Sequence, residues 1–172
     1  MVGIGITIKR IEAADVDAFR RIRLEALRSE PSFYASSYED WAALSVEEWK
    51  QRLNDPVFVA FQDDEPVGII GLLRQRASKM AHRATIIMVY VCKSLRGTGL
   101  AGNLLGAVTD YARDLGILQL ELAVTAENPA AIRFYQREGF IEVGRIPGGF
   151  LHDGREIDDV MMVRRLICQP IG

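Results

Sequence analysis

The sequence contains few of the residues that form disulfide frameworks and metal sites. Its 172 residues include two cysteines, Cys92 and Cys168, and two histidines, His82 and His152. Two cysteines are too few for a disulfide framework, and their spacing is not that of metal ligands. With so few histidines in addition, a zinc site is not expected. We therefore expect chemistry that needs no metal.

Long hydrophobic runs and a strong excess of one charge are also missing. No uninterrupted apolar stretch approaches the roughly 20 residues of a membrane-spanning helix. Residues 1–4 have neither the basic nor the apolar region of a signal peptide. The formal net charge of -2 and the pI of about 5.7 argue against nucleic acid or an anionic membrane as a partner, because both require a basic face. We expect a cytoplasmic protein.

Length and composition predict a single domain. With 49% hydrophobic and 26% charged residues, the composition is that of an ordinary globular protein. A chain of 172 residues is long enough to bury a substantial core. We expect one domain over residues 1–172, with its core between residues 4 and 166.

Hydrophobic periodicity predicts the element order β-α-α-β-β-β-α-β-α-β-β. The predicted strands cover residues 4–8, 57–61, 67–73, 84–91, 118–124, 140–143 and 157–166. Ser45 and Glu48 form a capping box at the start of the second helix, and Asn128 and Pro129 begin the last one. Consecutive strands imply antiparallel pairing, whereas the strand–helix–strand unit over 84–124 implies a right-handed parallel crossover. The predicted fold class is a mixed α/β, mostly antiparallel twisted sheet flanked by helices.

A glycine-rich turn, Arg96-Gly97-Thr98-Gly99-Leu100-Ala101-Gly102, follows the β-rich run over 85–91 and opens a helix. Glycines allow the backbone to approach a ligand closely, and the N–H groups of the first helical turn have no partner within the helix. The helix dipole favours negative charge at this end. The pattern predicts a binding site for a phosphate or a pyrophosphate.

Two other nucleotide-binding motifs fit this turn less well. Gly97, Gly99 and Gly102 satisfy G-x-G-x-x-G, and Glu121 follows at about the distance of a ribose-binding acid. However, that fingerprint belongs to the first strand–helix turn of a doubly wound sheet, and here several strands and two helices precede it. A P-loop would require Gly-Lys-Ser/Thr, which is absent from the sequence.

Two motifs together resemble the GNAT N-acetyltransferase superfamily. Residues 96–101 match Arg/Gln-x-x-Gly-x-Gly/Ala, the acyl-CoA pyrophosphate loop of that superfamily. Residues 128–140 match its second signature, Asn-x-x-Ala-x-x-x-Tyr-x-x-x-Gly-Phe. The resemblance is sharpest over 84–140 and extends over 4–166. The chain departs from the pattern at Lys93, where a proline is common, and in residues 81–93, which lack the carboxylate that serves some members as general base.

The resemblance implies acetyl-CoA as cosubstrate and an amine as acceptor. The pyrophosphate would lie on the N–H groups of the glycine turn, the Arg96 side chain would add charge, and the pantetheine arm would follow the strand before the turn. A backbone N–H near Val91 would stabilise the oxyanion. The implied cofactor-binding residues are Val89, Tyr90, Val91, Arg96, Gly97, Thr98, Gly99, Leu100, Ala101, Gly102, Asn128 and Tyr135.

Tyr135 is the candidate general acid for the leaving sulfur, since it occupies the tyrosine position of the second signature. The alternative is a core aromatic on an amphipathic helix. The general base stays open: Glu121, Glu39 and Asp40 are candidates, and each could equally be a solvated or structural carboxylate. Cys92 is interpreted as a small buried or loop cysteine, because no histidine lies at a spacing that would activate it.

The acceptor is expected near an aromatic segment, residues 31–41, with Phe33, Tyr34, Tyr38 and Trp41. These side chains either line an acceptor pocket or cover the core. The acidic segment 152–159 follows a flexible Gly148-Gly149 pair and either attracts a cationic amine or is a solvated turn.

The leading hypothesis is an acetyl-CoA-dependent N-acetyltransferase in which a primary amine attacks the thioester directly. The alternative is a non-catalytic acyl-CoA-binding sensor. Net charge and single-domain size favour a small-molecule acceptor over a peptide or protein N-terminus. The resemblance also allows a homodimer.

Overall fold

A computed structural model of the chain describes residues 5–166 and contains a single seven-stranded sheet. Residue Ile4, predicted to start the first strand, and Cys168 lie outside the described residues. The strands are β1 (Ile6–Arg10), β2 (Val57–Gln62), β3 (Glu65–Arg74), β4 (Arg83–Val91), β5 (Gln119–Thr125), β6 (Ile141–His152) and β7 (Arg155–Arg165). Their order in the sheet is β1-β2-β3-β4-β5-β7-β6. Every pairing is antiparallel except that of β4 with β5, which confirms the predicted mixed sheet.

The helices of the described part are α1 (Val16–Ser29), α2 (Tyr38–Ala42), α3 (Val46–Gln51), α4 (Leu100–Asp114) and α5 (Pro129–Arg137). The capping box is formed: Ser45 Oγ accepts from the Glu48 N–H at 3.2 Å and Glu48 Oε2 accepts from the Ser45 N–H at 2.7 Å. Helix α5 begins as predicted, with Asn128 as N-cap and Pro129 at the first position.

Two elements differ from the sequence prediction. The aromatic segment contains the short helix α2. It shows no hydrophobic period because it has only five residues, of which Trp41 alone is buried. Strand β6 is longer than expected and passes through Gly148 and Gly149, which were predicted to be flexible. A register shift between Ile146 and Phe150 takes up the two glycines, and pairing with β7 resumes at Phe150.

The sheet separates two hydrophobic clusters, because alternate residues of a strand face opposite sides. In β2, Phe58 and Ala60 pack in the cluster that contains α4, whereas Val57 and Val59 pack in the cluster that contains α1 and α3. Helices α1 and α4 are therefore anchored on opposite faces of the sheet. Within residues 5–166, none of the helices has both the length and the apolar character needed to cross a membrane.

We expect Asn128→Ala to destabilise the protein, because the Asn128 side chain accepts from the Ala131 N–H at 3.2 Å and caps α5. Loss of such a cap costs about 1 kcal/mol. For a chain of this size that cost lowers Tm by about 2–4 °C. Thermal unfolding measures the change, and Asn128→Asp, which can still cap the helix, is the control. Equal Tm values for the alanine variant and the parent would contradict the role of the cap.

Candidate functional site

The site is organised by the early separation of β4 from β5. The two strands pair only from Arg83 to Thr85 and from Gln119 to Glu121. Beyond these positions β4 continues to Val91 and β5 to Thr125 without pairing with each other. Backbone N–H and C=O groups that lose a strand partner need another one. The gap between the strands is thus a place where a ligand can take the position of a strand.

A bulge in β4 accompanies this separation. The register with β3 shifts between Ile69 and Gly71, and Met88 has φ +58°. Positive φ is rare for a side chain like that of methionine, and bulges redirect a strand locally. Gly71 lies against the bulge: a Cβ there would lie 2.7 Å from Met88 Cε and 2.9 Å from Ile87 Cγ1, so a larger residue would require these side chains to move. Gly71 is a signal that sequence reasoning missed.

On one side of the gap is a cavity of about 490 Å³, which we call the α4–α5 cleft. Seven of the predicted cofactor-binding residues line it, together with residues of both strand segments. Its lining residues are Glu30, Phe33, Tyr34, Ile86, Ile87, Met88, Val89, Tyr90, Val91, Arg96, Ala101, Leu122, Ala123, Val124, Glu127, Asn128, Pro129, Ala130, Ala131, Phe134 and Tyr135. The seven are Val89, Tyr90, Val91, Arg96, Ala101, Asn128 and Tyr135. Of the other five, Gly97, Thr98, Gly99 and Leu100 connect Arg96 to Ala101, and Gly102 follows Ala101 in α4.

The glycine turn has the backbone geometry of an anion site. Gly97 has φ +78° and Gly99 has φ +89°, and a Cβ built on either would meet no atom within 4 Å. Gly99 is the N-cap of α4, and no side chain caps this end of the helix. The first N–H groups of α4 therefore lack a capping acceptor beside open space. One carboxylate is close: Glu138 Oε1 would lie 3.4 Å from a Cβ on Gly102.

Arg96 has an anionic partner within the protein. Its Nη2 lies 2.7 Å from Glu30 Oε1, and its Nε donates to the Val91 carbonyl at 3.1 Å. The ion pair with Glu30 partly neutralises the positive charge of Arg96, which the resemblance assigns to pyrophosphate binding. The Arg96 side chain is still 42% exposed, so it can turn toward a ligand with a modest loss of protein contacts.

Tyr135 lies on α5 and is 6% exposed, packed against the rings of Phe134 and Phe140. Burial raises the pKa of its phenol well above the ordinary value. The phenol therefore keeps its proton at neutral pH and can act as a donor toward the α4–α5 cleft. It is both a core aromatic and a cleft residue, so the two interpretations of the sequence are compatible.

On the other side of the gap is a second cavity of about 430 Å³, the aromatic pocket. It is lined by Arg23, Phe33, Tyr34, Ala35, Ser36, Trp41, Arg52, Asp55, Pro56, Val57, Leu73, Thr85, Ile86, Ile87, Met88, Ala123, Thr125, Phe150 and Asp159. Of the four predicted aromatics, Phe33, Tyr34 and Trp41 line this pocket. Tyr38 instead lines a third cavity.

The two cavities meet at the gap between β4 and β5. Both are lined by Phe33, Tyr34, Ile86, Ile87, Met88 and Ala123. Tyr34 is fixed at this junction, because its hydroxyl donates to the Val89 carbonyl at 2.8 Å. Burial raises the pKa of the Tyr34 phenol well above the ordinary value, so this donor is retained at neutral pH.

None of the three candidate bases lines the α4–α5 cleft or the aromatic pocket. Glu121 accepts from Arg83 Nη2 at 2.7 Å and from Gln119 Nε2 at 2.8 Å, and the Arg83 hydrogen bonds hold its pKa below the usual range. It lines neither the cleft nor the aromatic pocket. Glu39 lines the third cavity, and Asp40 is absent from the lining of all three cavities.

Asp159 is, with Asp55, one of two carboxylates of the aromatic pocket that sequence reasoning did not single out. It comes from β7, pairs in register with Thr125, and lines the aromatic pocket. Burial raises its pKa, so the side chain is a better proton acceptor than an exposed aspartate. The only signal in the sequence was its place in the acidic segment 152–159. Cys92 lines neither the cleft nor the aromatic pocket and packs against both hydrophobic clusters.

Comparisons with known proteins identify the family. The model of the acetyltransferase (GNAT) family matches residues 19–140, which confirms the resemblance. An uncharacterized N-acetyltransferase of Methanocaldococcus jannaschii is 30% identical over 144 residues. The aligned part is 83% of this chain and 63% of that protein, so the chain spans less than two thirds of this relative.

Solved structures show the same fold. The GNAT-family acetyltransferase of Streptococcus pneumoniae matches with a TM-score of 0.84 at 23% identity, over 95% of this chain and 100% of that one. A protein of Salmonella typhimurium, solved with its cofactor acetyl-CoA, matches with a TM-score of 0.76 at 22% identity, over 98% of each chain. At these identities the comparison establishes a common architecture.

We expect Gly99→Ala to weaken the binding of acetyl-CoA. A side chain at φ +89° costs about 1–2 kcal/mol, and relaxation of the turn would move the N–H groups of α4. If the turn must return to its original geometry to bind acetyl-CoA, the binding free energy is weakened by this amount and Kd rises about tenfold. Isothermal titration calorimetry measures it. Gly106→Ala is the matched control, since its Cβ also meets open space but its φ is not in the left-handed region. Equal affinities for the two variants would contradict the predicted anion site.

Proposed function

The chain belongs to the acetyltransferase (GNAT) family, and from that premise we propose that it transfers the acetyl group of acetyl-CoA to a primary amine by direct attack. Acetyltransferases of this family take the acetyl group from acetyl-CoA. The observation that carries the proposal is the junction of two cavities at the gap between β4 and β5. Two substrates that enter from opposite sides can react there without a covalent enzyme intermediate.

The α4–α5 cleft fits acetyl-CoA by the chemistry of its walls. The uncapped N–H groups of the glycine turn suit the pyrophosphate. The edge of β4 from Val89 to Val91 that β5 does not pair suits the amides of the pantetheine arm, which would share or replace the hydrogen bonds of Tyr34 and Arg96 to the Val89 and Val91 carbonyls. The acetyl-CoA bound to the Salmonella typhimurium protein, which has this fold, supports the same assignment. Asn128 would act from the opposite wall while it caps α5.

The aromatic pocket would hold the amine. An aliphatic ammonium has a pKa of about 10.4 and must lose a proton before its lone pair can attack. We assign Asp159 as the group that receives the ammonium and takes up this proton, directly or through water. Its raised pKa supports the role, because the ideal base has a pKa nearer to neutrality than an exposed aspartate has.

The acetyl transfer then forms a C–N bond and breaks a C–S bond. Negative charge that develops on the carbonyl oxygen would be stabilised by a backbone N–H of β4 near Val91, where the strand is paired with β3 but no longer with β5. Tyr135 would donate its proton to the departing sulfur, and the second proton, which the nitrogen loses as it becomes an amide, would pass to solvent, from which Tyr135 is reprotonated. Because burial raises its pKa, the position of the phenol matters more than its intrinsic acidity.

Three finer points remain proposals. We propose a small-molecule acceptor, because the aromatic pocket is bounded by the aromatic segment and by Phe150. The homodimer and the cytoplasmic location expected from the sequence stay predictions. Nothing in the site favours the non-catalytic sensor, since both a candidate base and a candidate acid line the two cavities.

We expect Tyr135→Phe to lower kcat by about 10²–10⁴-fold, the usual contribution of general acid catalysis. The substitution keeps the buried ring, so the Kd for acetyl-CoA should change little. Release of free CoA over a panel of amines measures turnover, and the same panel tests whether the protein is an acetyltransferase.

Tyr111→Phe is the matched control for this experiment. It also removes one phenol hydroxyl, but Tyr111 lies on α4, where its hydroxyl accepts from Arg10 at 2.9 Å. Parental turnover in the Tyr135 variant would rule out the proton-donor role. A loss of the same size in both variants would point to a general structural effect.

A further inference from the structure

Arg23 is a buried cation in the wall of the aromatic pocket. It lies on the apolar face of α1, beside Ile22 and Ala26, and is only 3% exposed. Arginine is rarely buried to this extent unless a carboxylate or another acceptor lies next to it. A guanidinium buried at this position therefore lowers the stability of the fold.

In the described part of the chain, Arg23 packs against aromatic faces and has no carboxylate within ion-pair distance. Its guanidinium carbon lies 4.5 Å from the centroid of the Trp41 ring and 5.2 Å from that of Tyr34. Among residues 5–166, Nε and Nη1 have no hydrogen-bond acceptor, and no carboxylate oxygen lies within 4.0 Å of the side-chain nitrogens. Buried donors without an acceptor are costly. The buried positive charge of Arg23 is therefore not neutralised by a neighbouring carboxylate among the described residues.

A second guanidinium, that of Arg52, adds to the positive charge that is not neutralised in this pocket. Arg52 lines the same pocket, and its guanidinium carbon lies 4.3 Å from the Trp41 centroid. The described part of the chain gives Arg52 no carboxylate within 4.0 Å either. Burial, with a smaller contribution from the charge of Arg52, lowers the pKa of Arg23 to about 10, so Arg23 stays protonated at neutral pH. Two cations that share one aromatic ring would be stabilised by an anion between or beside them.

We propose that the acceptor carries a carboxylate, bound by Arg23 and Arg52, and is therefore an amino acid or a close analogue rather than a simple amine or polyamine. This inference rests on the proposed acetyltransferase function. Guanidinium groups bind carboxylates well, since their planar N–H groups match two oxygens. The site would position the acceptor; Arg23 and Arg52 touch the substrate but take no part in proton transfer.

The remaining charges of the pocket agree with a zwitterion. Its carboxylates are Asp55 and Asp159, and its cations are Arg23 and Arg52. An ammonium group directed to Asp159 and a carboxylate directed to the arginines would each meet the opposite charge. A polyamine, which carries only positive charge, would place part of it beside the two guanidinium groups. Ile87, Leu73 and Phe150 leave apolar surface for an uncharged side chain.

Matched acceptors test the carboxylate directly. With acetyl-CoA present, turnover is compared for L-leucine, L-leucinamide and isoamylamine, and for L-phenylalanine, L-phenylalaninamide and phenethylamine. We expect kcat/KM for the better amino acid to exceed that of its amide and its decarboxylated amine at least tenfold. If the amide or the amine is used equally well or better in both series, the proposal is wrong.

Variants assign the effect to the two arginines. Arg52→Gln and Arg23→Met should raise KM for the preferred amino acid at least tenfold, with little change for the corresponding amine and no change in the Kd for acetyl-CoA. The exposed Arg76→Gln is the matched control. An equal loss for the amino acid and the amine would overturn the assignment. If Arg23→Met fails to fold, Arg52→Gln and the matched acceptors still decide.

Failure of the proposed function gives a different result. If acetyl-CoA binds but none of the acceptors releases CoA, the transferase proposal fails with this panel. Binding of the same acceptors to the CoA-saturated protein, measured by calorimetry, then tests the carboxylate site alone. Tighter binding of the amino acid than of its amine, lost in Arg52→Gln, would support the site. Equal binding, or none for either, would overturn it.

Discussion

The short pairing of β4 with β5 determines where both cavities lie. A longer parallel ladder would satisfy the backbone of Ile86–Val91 and close the sheet. Separation after Thr85 leaves an unpaired strand edge between the glycine turn and the aromatic pocket. The bulge at Met88, which packs against Gly71, lies in the part of β4 that has separated from β5. The α4–α5 cleft and the aromatic pocket are thus two sides of one opening in the sheet.

Charge is distributed differently on the two sides of this opening. In the α4–α5 cleft the positive potential comes from backbone N–H groups at the start of α4, while Arg96 is paired with Glu30. In the aromatic pocket it comes from two guanidinium groups, Arg23 and Arg52, that have no such partner among the described residues. One side is suited to a phosphate-bearing ligand, and the other to an acceptor with an anionic group.

The sequence was sufficient to predict most of the fold because the relevant signals are local. The Ser45 capping box, the Asn128-Pro129 helix start and the strand-to-turn order at 85–102 depend on residues a few positions apart. Helix α2 and the passage of β6 through Gly148 were missed because a five-residue helix shows no period and because a bulge can absorb glycines in a strand. Asp159 and Arg23 could not be assigned to the site, since their importance depends on long-range packing that brings β7 and α1 to one pocket.

The most direct test of the account is amide hydrogen exchange with and without acetyl-CoA. The account predicts that saturating acetyl-CoA slows exchange in two segments, the β4 edge at 89–91 and the start of α4 at 97–102, and that NAD has no such effect. Slower exchange in only one of the two segments would mean that acetyl-CoA binds in a different position from the one assigned. Protection of neither segment by acetyl-CoA, or equal protection by NAD, would contradict the assignment of the opening between β4 and β5 as the site of acetyl transfer.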